Sequence, residues 1–430
     1  MNTLMKQSAL TLSLLGAFAC GGTTEGPTPD PNQDEQGEVR SELTRQTPNV
    51  TAADAQELVE GNTAFALDLY RESVTEPGNV MSSPYSVSIA LAMLYAGARG
   101  NTEAEMASAL HYTLPQDRLH TAFNGLDLEL ESRATPANPD AEPFQLSIAN
   151  AIWGQTGYAF ESDYLDTLAL NYGAGLRPLD FGSDPEASRQ TINKWVEGET
   201  AQRIKDLLPE GSITAAVVLV LTNAIYFKAS WAHPFEESIT APGDFQVDAS
   251  TTVQADMMSQ SNDYGYAKVG DVEVVELDYD GNEMSMVLLL PEAGELGALE
   301  SSLDVATLEG YLGAIQYGLV DLTLPKFEFE TEFALSDALK ALGMVDAFGA
   351  ADLSGIDGTT GLSVFEVFHK TFVAVDEEGT EAAAATGVVV GETSVPTLLA
   401  TVKADRPFMF LIRDKQTDAI LFIGRVADPS

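Results

Sequence analysis

The chain has 430 residues, and its 65 acidic against 22 basic side chains give a formal net charge of -43. A surface this negative repels phosphate backbones and anionic headgroups, which excludes nucleic acid and a lipid face as electrostatic partners. Apolar residues make up 45%, so the chain can bury a large core, and its single cysteine excludes an intrachain disulfide and a cysteine-based metal cluster.

The first nineteen residues have the pattern of a secretory signal. Lys6 is their one charged side chain, and the apolar run from Ala9 to Ala19 is too short to span a bilayer. Cys20 follows Ala19 and precedes two glycines, as in bacterial lipoprotein signals. We therefore expect a bacterial protein that is exported and lipidated at Cys20, and so held on the cell surface or in the periplasm. The alternative is an ordinary secretory signal, in which Cys20 is not lipidated and has no role in export.

Residues 20–48 contain few large apolar side chains and many Gly, Thr, Pro and acidic residues, which predicts a disordered tether. From residue 49 to residue 430 no second linker or repeat appears, which indicates one large domain. Thr51 with Asp54 predicts a helix start, and apolar residues recur at helical spacing through Tyr70. Further helices are predicted at 86–98, at 103–110 opened by Thr102 with Glu105, at 160–172 and at 184–208.

Strand patterns dominate after residue 216. The apolar run 217–221 predicts a strand buried on both faces. Helices first and strands later indicate an α+β fold. The other predicted strands lie near 252–257, 272–279, 284–290, 319–329, 364–376, 407–412 and 419–425, and the last two form a hairpin.

The residues that carry enzyme chemistry do not form a recognisable pattern. No two histidines have metal-ligand spacing, and neither a nucleophile elbow nor a phosphate loop is present. The adjacent Glu377 and Glu378 are interpreted as a solvated pair. The sequence therefore predicts no metal, no cofactor and no enzyme activity, with a hydrolase whose triad comes from distant residues as an alternative. The histidines are His111, His120, His233 and His369.

The segment from Glu377 to Val390 can adopt two structures. Its alanine run favours an exposed helix or a linker. If it is extended, alternate residues form one uncharged face that a sheet can bury, and the segment has no proline before Pro396 to interrupt a ladder. A loop that can become a strand stores a conformational change. The residues of that face are Thr380, Ala382, Ala384, Thr386, Val388 and Val390.

Several further segments, taken in order, resemble the serpin family over residues 51 to 429. Together with the 377–390 segment, they resemble the inhibitory type of serpin. The resemblance implies a single α+β serpin domain, with N-terminal helices around a large central sheet, further sheets, and an exposed reactive-centre loop at about 377–400. The matching segments are Asn79–Ser86, Gly97–Met106, Asn193–Val196, Leu221–Lys228 with Trp231, Leu324–Phe327, Ala351–Ile356, His369-Lys370 and Ala404–Phe408.

The resemblance also implies site residues. Ser83, Ser86, Asn223 and His369 correspond to the shutter, a buried polar cluster beneath the point where the central sheet parts. Trp231 corresponds to the breach, where insertion begins. From the sequence alone, His369 would be a core histidine and Trp231 an aromatic anchor. The implied hinge of the loop is Glu377, Glu378, Gly379, Thr380, Glu381, Ala382, Ala383, Ala384, Ala385 and Thr386.

By the same resemblance, the chain is a monomeric suicide inhibitor that a serine protease attacks and that traps the acyl-enzyme by loop insertion. The family spacing of seventeen residues from Glu377 places the bait bond at Thr393-Ser394, which suggests an elastase-like or subtilisin-like target. Glu392 is the runner-up bait, for a glutamate-specific protease. A papain-like target and a non-inhibitory binding protein are further alternatives. Residues 103–118 have few basic side chains, which predicts no activation by heparin.

Overall fold

The computed structural model describes residues 37–74, 76–134, 145–380 and 397–430. The predicted signal peptide, Cys20 and the first part of the predicted tether lie outside the described residues. So do residues 381–396, which include the predicted hinge from Glu381 to Thr386, Glu392 and the predicted bait bond Thr393-Ser394.

The helices lie mainly in the first half of the chain, as predicted. Thr51 caps the first helix by accepting a hydrogen bond from the backbone N–H of Asp54 at 3.1 Å, which confirms the predicted start. The helices are α1 Ala52–Ser73, α2 Pro84–Tyr95, α3 Gly100–Ala109, α4 Gln116–Glu131, α5 Ser162–Tyr172, α6 Pro185–Glu199, α7 Leu296–Ser302, α8 Val305–Gly313, α9 Ser336–Ala341 and α10 Ser354–Asp357.

Two helix predictions are wrong at their ends. The helix predicted to open at Thr102 begins at Gly100, because Thr102 and Glu105 bond elsewhere: the Thr102 hydroxyl accepts from the N–H of Asp352, and the Glu105 carboxylate accepts from the N–H of Asp346. The helix predicted over 184–208 ends at Glu199. Ala201 and Gln202 have φ values of 48° and 67°, in the left-handed region that ends a helix.

The strands form two sheets in the described part of the chain. They are β1 Val80–Ser82, β2 Gln145–Gln155, β3 Leu176–Leu179, β4 Leu219–Ser230, β5 Ala241–Gln246, β6 Thr252–Val269, β7 Val272–Asp278, β8 Met284–Leu290, β9 Gln316–Pro325, β10 Phe327–Ala334, β11 Val367–Val375, β12 Gly379–Thr380, β13 Ala400–Lys403, β14 Phe408–Asp414 and β15 Ile420–Val426. The central sheet has the order β10-β11-β12-β4-β2-β3. The second sheet has the order β1-β15-β14-β8-β7-β6-β9-β13, with β5 paired to β6.

The strand predictions differ from the structure where the chain changes sheet. The strand predicted at 319–329 is two strands, because β9 belongs to the second sheet and β10 to the central sheet, with Lys326 at the crossing. The strand predicted at 217–221 begins at Leu219. Strands β14 and β15 pair in antiparallel fashion, which confirms the predicted C-terminal hairpin.

Helix α2 forms the centre of the core. All its residues are buried, and it contacts β2 and β4 of the central sheet and β15 of the second sheet. A helix that is apolar on all sides can be stable only in such a position. Its N-terminus therefore lies against the middle of the central sheet.

The predicted disordered tether is wrong for residues 37–48. Val39 is buried and forms a β-bridge with Leu176, and Arg45 makes a 2.7 Å ion pair with Asp127 of α4. The composition of this segment is polar, but Arg45 pairs with acidic side chains of α4 and Glu38 pairs with Arg177 of β3, so charge pairing replaces the apolar burial that the segment lacks. The ordered domain thus includes residues 37–48.

Candidate functional site

The two middle strands of the central sheet pair directly along only part of their length. Strands β4 and β11 form a parallel ladder from Val367, opposite Leu221, to Thr371, opposite Ile225. Further along, the two residues of β12 lie between them: Thr380 is opposite Val375 on one side and Ala229 on the other. Two residues of the predicted hinge, Gly379 and Thr380, thus already form a short strand inside the sheet.

Thr380 lies in an enclosed position. Its side chain is 1% exposed, and its hydroxyl oxygen is 2.8 Å from that of Tyr279. The Tyr279 ring stacks on Trp231 with 4.7 Å between centroids, and the Trp231 indole N–H donates to the carbonyl of Asp376. Trp231, the predicted breach residue, therefore lies beside the start of the hinge and stacks on the tyrosine that bonds to Thr380.

Gly379 is required by a close backbone contact. A Cβ atom at this position would lie 2.1 Å from the carbonyl oxygen of Ala229 and 2.8 Å from the Cα of Ser230. Real Cβ atoms do not approach other atoms so closely, so any side chain here would push β12 away from β4. The glycine allows the hinge to enter the sheet.

Glu377 is not solvated, so the prediction of a solvated Glu377-Glu378 pair is wrong for Glu377. Its side chain is buried, and its carboxylate accepts hydrogen bonds from Lys326 at 2.6 Å and from the Thr240 hydroxyl at 2.7 Å. Burial alone would raise the pKa of Glu377, but the bonds from Lys326 and Thr240 hold it below its usual value. The carboxylate is therefore an anchor for the start of the hinge.

Backbone hydrogen bonds fix the residues next to this anchor. The N–H of Phe235 donates to the carbonyl of Glu377 at 2.7 Å, and the N–H of Trp231 donates to the carbonyl of Glu378 at 2.8 Å. The Asp376 carboxylate accepts from the N–H of Glu378 at 2.9 Å. The hinge therefore starts from a fixed point at one end of the sheet.

A row of polar side chains crosses the sheet where β4 and β11 still pair. Asn150 on β2 is opposite Asn223 on β4, and Asn223 is opposite His369 on β11. The Asn223 amide donates to the side-chain oxygen of Asn150 at 2.7 Å, and its own oxygen lies 2.5 Å from His369 Nδ1. The contact between Asn223 and His369 would break if β4 and β11 separated at this level.

The N-terminus of α2 completes the network. The N–H of Ser83 donates to His369 Nε2 at 2.9 Å, and the Asn223 amide donates to the Ser86 hydroxyl at 2.7 Å. The Ser83 hydroxyl donates to the carbonyl of Leu421 in the second sheet. The four predicted shutter residues therefore lie in one buried network that joins both middle strands to the helix beneath them.

His369 is neutral in this network. Complete burial lowers its pKa from 6.5 to about 3, although its hydrogen bond with Asn223 acts in the opposite direction. Since Nε2 accepts from Ser83, the ring proton is on Nδ1, where it donates to Asn223. Protonation of Nε2 would remove the acceptor that Ser83 uses.

This arrangement predicts acid sensitivity. The unfolded chain takes up a proton at His369 near pH 6.5 and the native chain near pH 3, so the stabilisation is complete above pH 6.5 and is lost as the pH falls towards 3. The expected slope is about 1.4 kcal/mol of unfolding free energy per pH unit from this group. Urea unfolding of wild type and of His369→Gln between pH 7 and pH 4 measures it. Equal slopes in the two proteins would contradict the prediction.

Sequence reasoning missed four residues of the site. Asn150 lies on β2, which was not predicted, so the third member of the polar row was not found. Tyr279 and Thr240 come close to the hinge only in the folded chain. Lys326 lies next to Pro325 in Leu324–Phe327, one of the segments that resemble the serpin family. This resemblance is the signal in the sequence that could have identified Lys326 as a site residue.

The described residues contain no group of three or more His, Cys, Asp or Glu side chains that could hold a metal ion. Within the same ranges, no helix has the length and apolar character needed to cross a membrane. The polar groups of the site bond to one another and to backbone. Chemically, the arrangement can hold two strands together, admit a third between them, and release it.

Comparison with known proteins agrees with this geometry. The model of the family described as serpin (serine protease inhibitor) matches residues 60–429. An uncharacterized serpin-like protein of Thermococcus kodakarensis is 36% identical, over 99% of each chain. The leukocyte elastase inhibitor of Equus caballus is 37% identical over 87% of this chain and 100% of its own. The native-state crystal structure of the thermophilic serpin tengpin superposes with a TM-score of 0.79 and 28% identity, covering 90% of this chain and 97% of its own.

Proposed function

The chain belongs to the serpin family, a family of protease inhibitors and related binding proteins rather than of enzymes. We propose that it is an irreversible inhibitor of serine proteases that works by inserting its loop into the central sheet. One observation carries the proposal: Gly379 and Thr380 already lie as strand β12 between β11 and β4. Insertion of the rest of the hinge would lengthen this two-residue strand without requiring a new point of entry into the sheet.

The chemistry of the hinge supports further insertion. Thr380 occupies a buried site that admits a small uncharged side chain. In an extended chain, residues two apart share a face, so Ala382, Ala384 and Thr386 would follow Thr380 into the same layer. The segment would gain a ladder on each side, and the free energy of completing the sheet drives the reaction.

In the proposed reaction, the serine oxygen of the protease attacks the carbonyl carbon of Thr393. The bond to the nitrogen of Ser394 breaks, the amine takes up a proton, and an ester joins the protease to Thr393. The seventeen residues from Glu377 to Thr393, at about 3.3 Å each, then carry the protease ~55 Å. Displacement distorts the oxyanion hole of the protease, so water does not cleave the ester.

The proposed bait residue selects the target class. Thr393 is small and β-branched, which favours elastase-like or subtilisin-like proteases over those that require Arg or Lys. The similarity to a leukocyte elastase inhibitor supports this choice. The alternative bait Glu392 would select a glutamate-specific protease, and a papain-like target is a further alternative.

The position of the bait bond is tested by the fragment that an elastase releases. We expect the C-terminal fragment to begin at Ser394, because attack at Thr393 leaves that nitrogen as the new N-terminus. Mass spectrometry of the fragment measures this. A fragment that begins at Thr393 instead would assign the bait to Glu392, and any other start would contradict both assignments.

A cavity favours a second candidate function, that of a non-inhibitory binding protein. It has a volume of about 1060 Å³ and is lined in part by Leu126 of α4, Leu308 and Leu312 of α8, and Arg413 and Asp418 of the C-terminal hairpin. Cavities of this size hold small ligands. Under this alternative, a serine protease would only cleave the loop, and no covalent complex would form.

We propose further that the protein is exported, anchored through a lipid on Cys20, and monomeric. The apolar N-terminal run and the small residues around Cys20 support export and anchoring. Activation by heparin is not part of the proposal, since Arg118 is the one Lys or Arg between residues 103 and 118.

A further inference from the structure

Two adjacent leucines are exposed at the C-terminal end of the loop. Leu398 is 45% exposed and Leu399 is 41% exposed, whereas most large apolar side chains of the described residues are buried. A single exposed leucine needs no explanation, but two consecutive ones form a continuous apolar surface of the kind that marks a contact site. We call Leu398 and Leu399 the leucine pair.

The second sheet holds the leucine pair in place. The N–H of Leu399 donates to the carbonyl of Leu319 at 2.7 Å. The Leu399 side chain covers Gly318, where an added Cβ would lie 3.1 Å from Cδ2 of the leucine. The next residue, Ala400, begins β13 and is opposite Val320 of β9. The leucine pair is therefore bound to the edge of a sheet.

The same hydrogen bond makes the leucine pair unsuitable as a bait. The nitrogen of Leu399 would be the leaving group if a protease attacked Leu398, and its N–H is already bonded to Leu319. A peptide that is bound as an extended segment needs its backbone groups free for hydrogen bonds with the partner. The leucine pair therefore offers two side chains to a partner rather than a scissile bond.

A protease bound at the proposed bait bond would reach the leucine pair. Leu398 is four residues after Ser394, so the two lie at most ~14 Å apart. A serine protease of roughly 220 residues has a radius of gyration of about 17 Å. The protease is thus larger than the distance from the bait bond to the leucine pair, and the pair continues the contact surface that the bait begins.

The surface beside the leucine pair is acidic. Asp263 of β6 is opposite Leu319, and Asp321 lies two residues further along β9. Lys403 is the one cation of the neighbouring strand β13, and it is paired with Asp405 at 3.6 Å. The two carboxylates therefore give the border of the leucine pair a negative charge, which is complementary to basic side chains on a partner.

We infer that the leucine pair is a second contact for the target protease, outside the bait, and that it contributes to the choice of target. The protease it fits has an apolar surface bordered by basic side chains, on the side of its active site that receives the residues after the scissile bond. Docking removes two leucine side chains from water, which stabilises the complex before the bait bond is cleaved. This inference rests on the proposed function.

The test compares the double variant Leu398→Ser with Leu399→Ser against a matched control, Val345→Ser with Phe365→Ser. Val345 and Phe365 are 54% and 51% exposed, and Phe365 lies two residues before β11, at the end of that strand away from the hinge. Association rate constants with pancreatic elastase and with subtilisin are measured with inhibitor in excess. The stoichiometry of inhibition and the unfolding temperature are measured for each protein.

We expect the leucine double variant to associate about tenfold more slowly than wild type with at least one of the two proteases, because truncation of a central interface side chain has an effect of this order. Its stoichiometry of inhibition and unfolding temperature should be unchanged, since the leucine pair acts at docking and not at insertion. The control should keep the wild-type rate constants. Leu398→Ser alone should show a smaller loss in the same direction, and it replaces the double variant if that does not fold.

Equal rate constants for the leucine double variant and the control, with both proteases, would overturn the inference. So would a wild type that sediments as a dimer and a leucine variant that sediments as a monomer, because a second copy of the chain would then cover the leucine pair. If wild type forms no complex with either protease, the proposed function fails instead.

Discussion

Thr380→Arg should abolish the covalent complex with a serine protease while leaving cleavage of the loop intact. Thr380 is 1% exposed and is bonded to Tyr279 between β11 and β4. An unpaired guanidinium there would cost about 3–5 kcal/mol, which opposes insertion at its first step. The protease would then hydrolyse the ester before the loop moves.

The measurement is a denaturing gel of protein incubated with an elastase or subtilisin. Thr401→Arg is the matched control, because Thr401 is an exposed strand residue after the loop. We expect complex with the control and only cleaved monomer with Thr380→Arg. A normal yield of complex from Thr380→Arg would contradict insertion through β12.

Glu377→Lys should release the start of the hinge from the sheet. The substitution places a second ammonium group in a buried site where Lys326 now donates to the carboxylate at 2.6 Å. An unpaired ammonium group at the buried position 377 is expected to lower the unfolding free energy by about 3–5 kcal/mol. Urea unfolding measures the change, and faster cleavage between residues 376 and 381 by a non-target protease would report the released hinge.

Two further variants separate the pair from a general charge effect. Glu328→Lys makes the same charge change at an exposed position on β10, and we expect a change within about 0.5 kcal/mol. The double variant Glu377→Lys with Lys326→Glu reverses the pair and should recover part of the lost stability. Equal losses in Glu377→Lys and Glu328→Lys would show that the anchor is not needed.

A helix-capping pattern in the sequence predicts the start of a helix correctly when its side chains bond within that same helix. Thr51 with Asp54 was predicted to start a helix, and the cap is formed within the segment itself. Thr102 with Glu105 has the same spacing, yet both side chains bond to residues 346–352 instead. The two patterns look alike in sequence, and only contacts from distant parts of the chain distinguish them.

The site residues can be identified from the family resemblance and not from the periodicity of apolar residues in the sequence. The spacing of Ser83, Ser86, Asn223 and His369 does not predict a network, because the two serines lie at the start of α2 while Asn223 and His369 lie on β4 and β11. Asn150 was missed with its strand. The sequence suggests a solvated Glu377 because its partners, Lys326 and Thr240, are remote in sequence, and burial of a carboxylate cannot be predicted without its partner.

The central claim is that the loop traps a protease by entering the sheet, and a single gel tests it most directly. Wild-type protein is mixed with an elastase-like or subtilisin-like serine protease, boiled in denaturant and separated. The proposal predicts a band at the summed mass of the protease and of the inhibitor without its fragment 394–430, because the ester to Thr393 survives denaturation while the bond to Ser394 is broken. Cleaved monomer alone, with no such band for proteases of either class, would contradict it.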